Sequence, residues 1–216
     1  MYSTPLKSKV NKNRTSFLLS LMIKPGEKIK FPFCTDLLIE NSLYNKRNEH
    51  YFHDPLLIEF WTNYNNNRKY LYTTVQKHIK MDRDIIQSCV NNIQISDPIN
   101  RSSLLFLSNN LSEGHMYVSK IIEKPDVDNL SKLFVRTNRI KDFKTTKYFK
   151  PDSTTTVLEC LACNSHIKET FYYFNKIIEK SDNIYVITDN GVFKKMFRNH
   201  IHINNEYYLC YDKEQQ

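Results

Sequence analysis

The sequence predicts an α+β fold, with a mainly helical N-terminal half and a mixed strand and helix C-terminal half that ends in a β-hairpin. Three observations predict it. In "TDLLIENSLYNKR", "DPLLIEFWTNYNNN" and "MDRDIIQSCVNNI", an Asp suited to an N-cap precedes apolar residues at helical spacing. Near the end, the β-branched runs "TTTVLECLAC" and "NIYVITD" flank the amphipathic "HIKETFYYFNKIIEK". The closing "HIHINNEYYLCY" holds two alternating runs around a three-residue polar loop.

Taken in order, residues 1–14 form a basic, polar stretch expected to be a mobile tail suited to nuclear import. Residues 15–98 are expected to be mainly helical after an N-terminal hairpin. That hairpin is "SFLLSLMIKPGEKIKFPF", read as two extended segments around Pro25-Gly26. "KYLYTTVQKHI" is ambiguous, because its β-branched and aromatic content argues strand among helical neighbours. Residues 99–216 are expected to be α+β. There "SLLFLSN" and "HMYVSKIIE" read as buried strands, residues 130–149 as mixed, "GVFKKMF" as a short helix, and residues 151–216 as a zinc-binding C-terminal third.

Composition narrows the chemistry. The 216 residues can bury a core without staples, and five cysteines do not read as a disulfide framework. The longest apolar run, "FLLSLMI", is too short to cross a bilayer, so no membrane partner is expected. A net charge of +8 suits an acidic partner. With only three glycines, at 26, 114 and 191, neither a Walker loop nor a dinucleotide fingerprint can be written. A hydrolase nucleophile elbow also lacks its glycines. Asp182 and Asp189 read as strand-end residues.

The candidate site is a metal centre. Cys160 and Cys163 have the spacing of a zinc knuckle, whose tight turn lets two thiolates converge on one tetrahedral ion. A three-residue loop at 204–206 places His200 opposite Cys210, and a register shift brings in His202 instead. The candidate ligands of a structural zinc are therefore Cys160, Cys163, His200, His202 and Cys210. Core burial and a redox pair compete with this reading. Nucleic acid is a possible partner through "RTNRIKDFKTTKYFK" and "KKMFRNH", which mix cations with aromatic residues or histidine.

With this length, charge and Asn- and Lys-rich composition, together with Cys160, Cys163, His200 or His202 and Cys210, the chain resembles late accessory proteins of the nuclear polyhedrosis baculoviruses. That resemblance implies a viral regulatory protein and no enzyme. It would bind a host protein in nucleus and cytoplasm, block an exportin-type nuclear export receptor and support late viral gene expression. Cys160, Cys163 and His166 also match a fragment of viral flavin-linked thiol oxidases, the alternative enzyme reading. A nucleic-acid-binding late factor is the third.

Overall fold

The computed structural model describes residues 5–8, 10–112, 120, 121, 130, 132, 134, 140–161, 167–181 and 183–212. The fold is α+β, and the chain divides into two compact units. A sheet unit takes residues 10–54 and those from 142 onward; a helical unit takes residues 5–8 and 55–141. This differs from the expected division at residue 98, because Pro98 is the first residue of a helix inside the helical unit.

The sheet unit opens with α1 (Lys12–Met22), where an extended segment was expected. Asn11 caps it by accepting from Arg14 N, its Leu and Met content favours helix, and Pro25 follows the C-cap. Gly26 turns the chain at φ +79° into β1 (Ile29–Phe31). Then come α2 (Leu38–Ser42) and β2 (Glu49–Phe52). The helical unit follows in sequence, and the chain returns through β3 (Lys144–Thr145) and β4 (Thr155–Cys160).

In the helical unit, α3 (Pro55–Asn66), α4 (Arg68–Ile79) and α5 (Arg83–Asn91) precede α6 (Pro98–Leu111). "SLLFLSN", expected as a strand, lies within α6, where every residue from Ser102 to Leu111 is buried. A helix buried all round has no polar face, so its apolar run carries no period that separates it from a strand. Its start is explicit: Asp97 accepts from Ile99 N and Asn100 N, and Pro98 occupies the first turn. "HMYVSKIIE" falls largely outside the described residues.

The expected tail is tied down in part. Leu6 is buried, and Asn109 of α6 brackets Lys7, accepting from its N–H at 2.8 Å and donating to its carbonyl at 3.2 Å. Asn110 donates to the Pro5 carbonyl at 3.1 Å.

After β4 come α7 (Ile167–Ile178), β5 (Ile184–Thr188), α8 (Gly191–Met196) and the hairpin of β6 (Asn199–His202) and β7 (Tyr208–Tyr211), all as expected. The seven strands lie in the order β3-β2-β1-β4-β5-β7-β6. β3, β2, β1, β4 and β5 run parallel, and β7 is antiparallel to both β5 and β6. Alternation sends Leu158, Cys160, Val186 and Cys210 to one face, against Phe174, Ile177, Phe193 and Phe197. Glu159 therefore points to the other. The direction of winding reverses between β1 and β4, the place where doubly wound sheets bind their ligands.

The Asn109 bracket predicts that trypsin leaves the Lys7–Ser8 bond intact in the native protein. Asn109→Ala removes two hydrogen bonds of about 1 kcal/mol each and should raise the rate of cleavage there roughly 5- to 30-fold, read by mass spectrometry.

Candidate functional site

The expected zinc ligands separate into core and surface. The hairpin register is the anticipated one, with His200 paired to Cys210 and His202 to Tyr208. Cys160 and Cys210, however, lie on β4 and β7 with β5 between them, opposite Thr188 and Val186 respectively. Two interstrand spacings and a two-residue offset put their Cα atoms roughly 12 Å apart. Thiolates sharing a zinc each lie about 2.3 Å from the ion. Both cysteines are fully buried among aromatic and aliphatic side chains. Burial holds the Cys160 thiol well above the ordinary range and pushes Cys210 up to about 11, so both are protonated core residues. His200 and His202 are exposed, with ring centroids 6.1 Å apart. Cys163 and His166 lie outside the described residues, and among those described no group of three or more His, Cys, Asp or Glu could hold a metal ion. Among the described residues, Cys160 and Cys210 are thus not placed to share one ion. A buried, protonated Cys160 also lacks the accessible thiolate a thiol oxidase needs.

Of the basic stretches, Lys144 lies on β3, Tyr148 is exposed beside Lys147, and Phe149 is buried; residues 136–139 lie outside the described residues. Lys194 and Lys195 lie in the last turn of α8, and Arg198 follows it.

A site that sequence reasoning missed sits at the winding reversal. The turn from β1 into α2 reads Phe33, Cys34, Thr35, Asp36, Leu37, and these are 2, 1, 3, 1 and 0 % exposed. Four ionisable side chains meet beneath it. Lys12, at the start of α1, donates to Glu159 of β4 and lies 3.6 Å from Asp36. Thr35 Oγ1 donates to the second Glu159 oxygen at 2.9 Å. Asp36 accepts from Leu38 N at 2.9 Å, serving the first turn of α2. Glu40 completes the group, and its Oε2 is buried without a hydrogen-bond partner.

One ammonium thus faces three carboxyl groups. Burial opposes the charge on Lys12, but attraction to Asp36, Glu159 and Glu40 outweighs it and raises its pKa above the ordinary lysine value. Burial, with repulsion from Glu159, raises Asp36 and pushes Glu40 up to about 8. Glu40 is therefore a neutral acid near pH 7. Removing Lys12 alone would strand the remaining carboxylates, at a cost of about 3–5 kcal/mol.

Leu37 adds a second peculiarity. It is the one non-glycine residue with positive φ among the described residues, at φ +60° and ψ +16°. For a residue with a Cβ that conformation costs about 1–2 kcal/mol. The turn keeps a backbone that suits glycine, yet carries a fully buried leucine. The signal in the sequence was thin: a lone Glu inside the buried pattern of "TTTVLEC", and a Lys at a helix start 147 residues away.

No protein-family model matches this chain, and no curated protein matches it.

Glu40 makes stability pH-dependent. Between the ordinary glutamate value of 4.5 and about 8, the folded state holds a proton that the unfolded state has released. Stability therefore falls as pH rises through this window. Buried His50, lowered to about 4 by desolvation, acts oppositely below pH 6.5. Glu40→Gln should flatten the decline between pH 6.5 and 8. At pH 8.5 it should raise Tm by about 2–4 °C per kcal/mol of relieved penalty, measured by thermal melts at several pH values.

Proposed function

We propose that this chain is a non-catalytic binding protein, built on a doubly wound sheet whose ligand crevice is closed by its own side chains. A sheet ordered 3-2-1-4-5-7-6, with the seventh strand antiparallel, has the reversal of winding between β1 and β4 that marks doubly wound folds. That is a likeness of fold alone, and function has to be argued from the site.

The observation that carries the reading is the burial of residues 33–37 over the Lys12–Glu159 pair. In a doubly wound sheet this first βα turn approaches the ligand with its backbone, and its glycines make room for that approach. Here the turn has none. Its Leu37 side chain is packed in the core, and the carboxylate at the end of β4 is already bonded to Lys12 and Thr35. A cofactor entering there would have to break a buried ion pair and expose apolar surface. The sheet then serves as a scaffold, and the protein acts through its surfaces on a macromolecular partner. This reading keeps partner binding, the role expected from sequence, and leaves out zinc-dependent action on an export receptor, since Cys160 and Cys210 are kept apart.

Titration calorimetry with S-adenosylmethionine, ATP and NAD in turn tests the proposal. Heats indistinguishable from dilution are expected up to millimolar ligand. A dissociation constant in the micromolar range that Lys12→Met or Leu37→Ala alters would contradict closure and restore a cofactor-dependent role.

A further inference from the structure

The β6–β7 hairpin and α8 enclose a groove of about 550 Å3 at the edge of the sheet, apart from the closed turn. Lys194, Lys195, Arg198 and His200 line it, with Asp189 and Glu206 as its acidic members. Local sequence dictates the placement. Asn190 caps α8 by accepting from Val192 N, so the short helix ends on its two lysines, and β6 begins just past Arg198. Alternation along β6 then puts His200 and His202 on one side of the hairpin, with Tyr208 paired to His202.

These three rings form an edge-to-face cluster, with interplanar angles of 60° to 76°. His202 and Tyr208 centroids are 4.7 Å apart, and His200 lies 5.9 Å from Tyr208. Lys194 Nζ sits 4.2 Å from the Tyr208 centroid, a cation–π contact that joins the ring cluster to the basic rim. Lys195 and Arg198 are exposed, and among the described residues neither enters a salt bridge.

We propose that this groove binds single-stranded nucleic acid. Bases stack one by one on the exposed His200 and His202 rings, which Tyr208 props edge-on, and successive phosphates are held by Lys194, Lys195 and Arg198. The exposed His200 and His202 rings beside the exposed Lys195 and Arg198 are the two components that sequence-tolerant single-strand binding requires. A small anion would use the cations and leave the rings idle, and an apolar ligand would use the rings against the charge. A chain alternating flat bases with phosphates uses both along its length. Duplex is excluded by the same argument, because its bases are already stacked.

The test is fluorescence anisotropy of a fluorescein-labelled 12-mer oligouridylate with the full chain between 50 and 200 mM salt. The expected result is micromolar binding, with a log–log salt slope near about −2 for three phosphates. The K194Q/K195Q/R198Q variant should bind at least tenfold more weakly with a flatter slope. His202→Ala, an exposed position, should weaken binding about 5-fold or more with the slope retained. Unchanged far-UV circular dichroism shows that both variants are folded. No binding at 50 mM salt, undiminished binding by the triple variant, or equal competition by base-free polyphosphate would overturn the proposal. Cofactor binding at the β1–α2 turn is read separately by calorimetry, so failure of one reading is distinguishable from failure of the other.

Discussion

The Lys12 ammonium, buried among Glu159, Asp36 and Glu40, is the interaction on which the sheet unit depends. It ties the first helix to the end of β4 and to the turn after β1, three segments far apart in sequence. Burying such a cluster gains little over an apolar core, because desolvation offsets most of the attraction. Its consequence is geometric. Lys12 and Thr35 hold Glu159 beneath the buried turn from β1 to α2, in which Leu37 adopts a left-handed conformation with a buried side chain. The open crevice that gives doubly wound sheets their cofactor sites becomes core.

This closure redirects the search for function from the ends of the parallel strands to the surface. The antiparallel edge of the sheet unit carries exposed cations and rings together. There a short helix delivers Lys194 and Lys195, and the hairpin delivers His200, His202 and Tyr208. The same hairpin sends Cys210 inward against Phe193 and Phe197. Register places Cys210 on the same face as the histidines, but β7 lies between β5 and β6 while β6 is the edge strand, so residues that look like a ligand set in sequence divide into core and surface in the fold.

How much of this was legible follows from how local each signal is. From residue 151 onward, β4, α7, β5, α8 and the hairpin were readable, register included, because period-two alternation and the NNE loop are local features. Helix α6 was not, since full burial erases the polar face that gives a helix its period. Helix α1 was obscured by Pro25-Gly26, which ends a helix but also suits a hairpin turn. The separation of Cys160 from Cys210 is a long-range fact: sequence spacing says nothing about β5 being interposed between them. The Lys12–Glu159 pair was out of reach for the same reason, as its partners lie 147 residues apart.

Native-state hydrogen exchange at the amides of residues 34–37 tests closure of the turn most directly. If the turn is core, these amides should exchange only with global unfolding of the sheet unit, at the rate of the central β4 amides, and millimolar S-adenosylmethionine should leave that rate unchanged. Exchange within seconds, or protection that appears only when the cofactor is added, would show an open crevice and contradict the account.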